Sequence, residues 1–239
     1  MAIYDPSRRT VILRIVYDGL GTAGKTTNIQ QIFNLFTLAR QGDVVVPEEY
    51  RGRTLYFDWL ELDAGFLDEY RVRIQVITVP GQFAYAQRRW TLLRSPDAVV
   101  EVCDSTPEAL SRSRYAVRFL QGMLAAGACP DVPIIVQANK QDAPDALNGE
   151  ALAHALGLDP DVRVVEAVAR EGTGVRATLV LALLAARERV RRQISAHGIE
   201  SLEHGAESAE ALYQRMREVE DGGLDQDGAL LVERMLNEG

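Results

Sequence analysis

The chain has 239 residues, 47% of them hydrophobic and 25% charged, which suits one packed soluble domain with an appendage. A formal net charge of −8 argues against a nucleic-acid-binding surface spread over the whole molecule. Two cysteines, Cys103 and Cys129, make no disulfide framework, and Cys103 inside an apolar run reads as a buried thiol in a reduced, cytoplasmic setting.

Thr10 to Asp18 is rich in Val and Ile and reads as a buried strand. A glycine-rich turn follows, then a helix from about Lys25 to Arg40. Arg53 to Leu62 and Tyr70 to Val79 read as strands, with Asp63-Ala64-Gly65 as the turn of an antiparallel hairpin. Ala98 to Cys103 is the next apolar run, followed by a helix from about Pro107 to Ala126. Val132 to Ala138 is a strand, Gly149 to Leu156 a short helix, and Val162 to Val168 the last strand. After Gly174, Val175, Leu179, Leu183, Ala186 and Val190 recur near the helical period. Strands alternating with helices predict an α/β fold: a mostly parallel sheet with one antiparallel edge strand and helices on both faces. Ligands of such sheets bind beyond the carboxyl ends of the strands.

The end of the chain differs in kind. Residues 200–239 hold eleven acids against three bases, so the remainder is balanced and the tail carries the net charge. Leu212, Met216 and Val219, and again Leu231 and Met235, have helical spacing, with Asp221-Gly222-Gly223 between the two sets. The expected division is therefore a domain at residues 1–196 and an acidic, helical or partly disordered extension at 197–239. That extension either solubilises the protein or docks on the domain or a partner. Arg187, Arg189, Arg191 and Arg192 form a basic run that reads as a solvated helix face, or as an attraction for the tail or an anionic membrane. His154, His197 and His204 have no metal-ligand spacing and read as surface residues. The opening residues form no secretory signal, no run approaches a membrane span, position 2 is Ala, and the last four residues are no prenylation signal. No lipid anchor or transmembrane segment is expected, and any visit to a pole or membrane surface would go through partners.

Gly19-Leu20-Gly21-Thr22-Ala23-Gly24-Lys25-Thr26 matches the G-x-x-x-x-G-K-[ST] phosphate loop between strand and helix. Its glycines let successive N–H groups turn toward phosphate oxygens, and the following helix offers its positive end to the same anion. Gly19, Gly21, Thr22, Ala23, Gly24, Lys25, Thr26 and Thr27 are the candidate phosphate-binding residues, with Lys25 as the mobile cation and Thr26 as a Mg²⁺ ligand. Asn139-Lys140-Gln141-Asp142 reads N-K-x-D. A carboxylate at Asp142 accepts hydrogen bonds from guanine N1–H and its exocyclic amine, which adenine lacks, so the base is guanine. Lys140 would lie along the base, and Asn139 would tie this loop to the phosphate loop. Ala169 and Arg170, after the last strand, stand where a backbone N–H would meet the guanine carbonyl oxygen. In Thr78-Val79-Pro80-Gly81-Gln82, Gly81 would turn its N–H to the γ-phosphate and Gln82 would orient the attacking water. Thr54 is a candidate to sense Mg²⁺ and γ-phosphate. Arg53 is either an arginine finger supplied in cis or a solvated loop residue.

These motifs, over roughly residues 4 to 192, resemble the bacterial Ras-like GTPases of the MglA type, the gliding-motility and cell-polarity switches. The resemblance rests on the G-x-G-x-x-GKTTN run at Gly19 to Asn28, R-T-L-x-F-D at Arg53 to Asp58, T-V-P-G-Q at Thr78 to Gln82, and N-K-x-D at Asn139 to Asp142. Ala167 to Val175 is also similar to that family. The resemblance implies a P-loop NTPase small G domain using GTP/GDP and Mg²⁺. It implies that Arg53 and Gln82 are catalytic and that Thr54 is the switch threonine. It also implies a GTPase-activating protein of the roadblock (MglB-like) type, beside unidentified effectors. Most Ras-like proteins carry an Asp at the position of Thr78 that holds a Mg²⁺-bound water. Asp58 could supply negative charge near the metal, or it could serve hydrogen bonding within the hairpin. The expected function is a GTP/GDP switch, slow without its activator; the alternative is a nucleotide-dependent scaffold with negligible hydrolysis.

Overall fold

The computed structural model describes residues 2–46, 49–50, 53–54, 57–80, 86–127, 129 and 131–222, with backbone alone at 49, 50, 53, 54, 86, 87, 220 and 222. Its strands are β1 (Ile3–Asp5), β2 (Thr10–Asp18), β3 (Glu49–Tyr50), β4 (Arg53–Thr54), β5 (Trp59–Leu67), β6 (Tyr70–Thr78), β7 (Ala98–Asp104), β8 (Ile134–Asn139), β9 (Arg163–Glu166) and β10 (Glu203–His204). Its helices are α1 (Lys25–Leu35), α2 (Ala86–Leu93), α3 (Leu110–Ala126), α4 (Gly149–Leu156), α5 (Val175–His197) and α6 (Ala209–Gly222).

All nine residues of β2 are buried, as a strand covered on both faces requires. It lies between β6 and β7, both parallel to it, and β8 and β9 continue the parallel sheet. β5 closes the other edge, antiparallel to β6. β7 pairs only with Ile15–Asp18, which leaves Thr10–Ile12 to β1, antiparallel. β1 in turn holds β10 in parallel register. On one face Leu13, Ile15 and Tyr17 share a core with Ile29 and Ile32 of α1 and with Leu179, Ala182 and Val190 of α5. On the other face Val16, Ile77 and Val99 pack with Trp90 and Leu93 of α2 and with Phe119, Leu120 and Met123 of α3. α4 closes that layer through Leu152 and Leu156.

Several boundaries differ from the sequence expectation. The hairpin turns at Asp68-Glu69, where Asp68 has φ 52°, and not at Asp63 to Gly65. Gly65, φ 77°, lies in a register shift between Asp63 and Phe66, so its freedom serves a bulge. The segment read as one strand from Arg53 is divided. Arg53-Thr54 pairs with Glu49-Tyr50, and the long strand starts only at Trp59. Asp58 gives its N–H to the Thr78 hydroxyl, which ends the ladder there. α1 stops at Leu35, because Arg40 bridges to Leu62 and stacks its guanidinium 4.0 Å from the Phe33 ring centre. α2 has no counterpart in the sequence reading. Arg187 donates to the Phe66 carbonyl, Arg189 pairs with Asp97 and Arg191 with Asp68, so much of the basic run binds α5 to its own domain.

Beyond α5 the chain returns to the domain. Leu202 is buried in the α1–α5 core. Ala209, Leu212 and Met216 of α6 enter the layer of Trp90, Leu93 and Phe119. Glu207 pairs with both Arg14 and Arg215, and its carbonyl accepts from Gln75. Leu231 and Met235 lie outside the described residues.

Candidate functional site

The phosphate loop is shaped by backbone conformations that few residues tolerate. Gly19 has φ 133°, and a Cβ there would meet the Val102 carbonyl oxygen at 2.3 Å. Gly24 has φ 111°, and its Cβ would stand 2.3 Å from Asn139 Nδ2. Gly24 also precedes α1 with no side chain capping the first turn and no acid in it, so the helix end stays open to an anion. Gly21, Thr22 and Thr26 are exposed, Thr27 is half-buried and Ala23 is buried. The Lys25 ammonium donates to the carbonyls of Gly19 (2.8 Å) and Leu20 (2.7 Å). Burial lowers its pKa to about 8, against the attraction of Asp18. An anion in the loop would restore the lost counter-charge.

Beside the loop stands the carboxylate that Thr78 lacks. Asp58 is 1% exposed, and its Oδ2 accepts the Thr26 hydroxyl at 2.8 Å and the Thr78 hydroxyl at 2.7 Å. The Asp58 N–H returns to the Thr78 oxygen at 3.0 Å. Asp58 therefore bonds within the hairpin, as one of its two readings has it, and also reaches Thr26. A hydroxyl that gives its hydrogen to a carboxylate turns its lone pairs outward. Thr26 Oγ1 and a neighbouring carboxylate are hard oxygen donors of the kind Mg²⁺ takes together with substrate phosphates and water. The residues present thus fit the metal.

The base end is wired across the sheet. Asn139 Nδ2 donates to the Ala23 carbonyl at 2.7 Å, and its Oδ1 accepts the Ala169 N–H at 2.9 Å. Ala169, proposed from sequence as a donor to the guanine carbonyl, spends that N–H inside the protein. Lys140 takes φ 66°, and its ammonium reaches Asp104 at 2.6 Å. Burial works to raise the Asp104 pKa, but the Lys140 and Thr106 donors outweigh it and hold the carboxyl below its usual range. Asp142 pairs with the exposed Arg170 guanidinium at 2.9 Å. A guanine binding Asp142 would exchange that weak, solvated contact for two donors.

Sequence reasoning missed the supports. Asn28 and Gln137 exchange amide hydrogen bonds of 2.7 and 2.9 Å, and Gln137 also donates to Thr178, so α1, β8 and α5 are locked beneath the loop. Asp104, at the end of an apolar run, was the available signal for the partner of Lys140. Arg53 and Thr54 are placed by backbone alone, in the β3–β4 ribbon. Gly81 and Gln82 lie outside the described residues.

Comparison with known proteins gives a consistent set of relatives. The sequence model of the ADP-ribosylation factor family matches residues 6–184. The mutual gliding-motility protein MglA of Myxococcus xanthus (strain DK1622) is 34% identical over 181 residues, which are 75% of this chain and 92% of that protein. The Arl6 BBS3 small GTPase from Trypanosoma brucei, solved with the nucleotide analogue GppNp, shares the fold with a TM-score of 0.56 at 24% identity. That match covers 74% of this chain and 99% of that one.

Proposed function

The chain belongs to the ADP-ribosylation factor family and is an MglA-type small GTPase that hydrolyses GTP to GDP and phosphate; from that premise we propose a Mg²⁺-dependent switch whose metal side rests on Asp58. The observation that carries this reading is the Thr26–Asp58–Thr78 set of hydrogen bonds. Asp58 orients the Thr26 hydroxyl as a ligand and places a negative charge where Thr78 provides none. Bound Mg²⁺ supplies charge neutralisation between the outer phosphates. Thr54 is the second threonine ligand, ordered by the γ-phosphate. The loop N–H groups from Gly21 to Thr27 and the Lys25 ammonium hold the phosphates. Lys140 flanks the guanine, Asp142 accepts its donors, and the backbone N–H of Arg170 meets its carbonyl edge.

Gln82 orients the attacking water and Arg53 neutralises charge developing on the phosphates. Hydrolysis is slow alone and is accelerated by a roadblock-type activator, as the likeness to MglA suggests. Effectors that control polarity or motility read the GTP state. Residues 1–196 form the G domain and 197–239 an accessory extension. No described helix is long and apolar enough to cross a membrane. Recruitment to a pole or membrane surface goes through partners.

Gln82→Ala and Asp58→Asn test the two halves of the site. Gln82→Ala is expected to bind GTP normally and hydrolyse it about 100-fold more slowly. Asp58→Asn is expected to raise the Mg²⁺ concentration needed for half-maximal turnover by about tenfold. Undiminished activator-stimulated turnover in Gln82→Ala would remove Gln82 from the mechanism. An unchanged Mg²⁺ titration in Asp58→Asn would remove Asp58 from the metal side.

A further inference from the structure

Lysine is nearly absent from this chain. Lys25 and Lys140 are the only two, and all the other positions with a guanidinium or ammonium side chain are arginine. Arginine is a rigid planar fork, whereas lysine carries a point charge on a flexible four-carbon stem. A flexible stem lies ready against a base only if its end is held, because binding must otherwise freeze its rotamers.

At Lys140 the holder is Asp104. Asp104 ends β7 and is the ladder neighbour of Asn139, the residue before Lys140. Its Oδ2 accepts the Lys140 ammonium at 2.6 Å, with the carboxylate 15% and the lysine side chain 37% exposed. Its Oδ1 accepts the Thr106 N–H at 3.1 Å and the Thr106 hydroxyl at 2.8 Å. One oxygen is thus fixed by the local turn and the other is free to hold Lys140. Ser105, fully buried between them, clasps the base loop. Its N–H donates to the Asn139 carbonyl at 3.0 Å, its hydroxyl accepts Gln141 Nε2 at 3.0 Å, and its carbonyl accepts the Leu147 N–H at 2.8 Å. Residues 104–106 therefore form the template on which Lys140 is kept at φ 66°, a conformation costly for any residue but glycine. The turn itself asks only for an oxygen acceptor at position 104, which Asn would supply as well as Asp. The negative charge is used by Lys140.

We propose that Asp104 is a positioning residue for guanine-nucleotide binding: it holds the Lys140 ammonium both before and after the nucleotide enters, so that the stem already lies where the base will pack. This rests on the reading of Asn139 to Asp142 as the guanine site. The base is common to GDP and GTP, so Asp104 acts on the retention of both and leaves the hydrolytic step alone.

Asp104→Asn keeps an oxygen for the Thr106 turn and removes the charge. In the full-length protein it is expected to release GDP and GTP about tenfold faster, by the same factor for both, while single-turnover hydrolysis at saturating GTP stays within about twofold. Asp104→Glu, which keeps the charge, should recover part of the retention. In a Lys140→Met background, where an unbranched stem remains without its charge, Asp104→Asn should add less than about twofold. Unchanged release in Asp104→Asn overturns the proposal. So does an equal loss with and without Lys140, which would leave Asp104 a turn residue only. If Asp104→Asn does not fold, the natural chain decides, because ¹⁵N-labelled lysine gives just two side-chain ammonium signals. With GDP bound, the signal that Lys140→Met removes should exchange its protons slowly, as a held ammonium does. Exchange as fast as that of free lysine overturns the proposal. A natural protein that retains no guanine nucleotide would instead sink the reading of the site, a result visible before any variant is made.

Discussion

The two ends of the nucleotide site are built differently. At the base end the polar groups are tied within the protein: Asn139 to Ala23 and Ala169, Lys140 to Asp104, and Gln141 to Ser105 and Leu147. At the phosphate end Gly21, Thr22 and Thr26 are exposed, and hydrogen bonds converge on the single oxygen Asp58 Oδ2. A preorganised pocket gives affinity without an ordering cost. A hub of exchangeable bonds is what a switch needs, because a ligand can shift an equilibrium only where it interacts differently with two states. Recognition and response are thus divided between the carboxyl ends of β8 and β9 and those of β2 and β6.

The base-end clasp is where the largest effect is expected. Asn139→Ala removes both of its bonds at once and leaves the Ala23 carbonyl and Ala169 N–H without their partner. Each stranded buried group costs about 1–3 kcal/mol, so affinity for GDP and GTP should fall together by about 100-fold or more. Titration calorimetry with both nucleotides checks this. A loss confined to GTP would contradict the division, because the base end should not distinguish the two.

A smaller effect is expected where the extension meets α2. Leu212 is fully buried in the layer of Trp90 and Leu93. Leu212→Asp would force a carboxylate into that layer or lift α6 from it. The expected loss is about 2–4 kcal/mol, read as a fall in Tm of several degrees, with GDP affinity nearly unchanged. A Tm equal to that of the natural protein would mean that α6 adds nothing to the domain. A large loss of GDP affinity would show that the packing of α6 supports the base end as well.

Legibility followed the range of the interactions. The phosphate loop was readable because its conformation is local: Gly19 and Gly24 are required by backbone angles and close approaches within their own turn. Asn139 and Lys140 were readable because the tetrapeptide follows a strand. Asp58 could be suspected but not assigned, because its partners Thr26 and Thr78 come from two other elements. The supports were invisible for the same reason. Lys140 finds Asp104 across 36 positions, Arg89 finds Asp18 across 71, and Asn28 finds Gln137 across 109. α2 escaped because it is eight residues long with one buried face, too short for a periodic signal. The hairpin turn was misplaced because Gly65 signals a positive φ without saying whether a turn or a bulge uses it.

The smallest predicted effect concerns Glu101, on the response side of the molecule. Burial, with the charge of Asp18 beside it, pushes its carboxyl well above the ordinary value of 4.5, against the pull of Arg89 and Lys25. The folded state therefore holds a proton that the unfolded chain releases near that ordinary value. Between the two values the folded state binds more protons, so this group's contribution to stability is full below about pH 4.5 and is lost as pH rises toward the folded value. Glu101→Gln carries no such proton. Its stability relative to the natural protein, followed through Tm, should rise steadily between pH 5 and pH 8, by a free energy on the order of 1 kcal/mol. A difference that does not vary with pH would mean that Arg89 holds Glu101 ionised in the fold. The Arg89 guanidinium would then serve two buried carboxylates, Asp18 and Glu101.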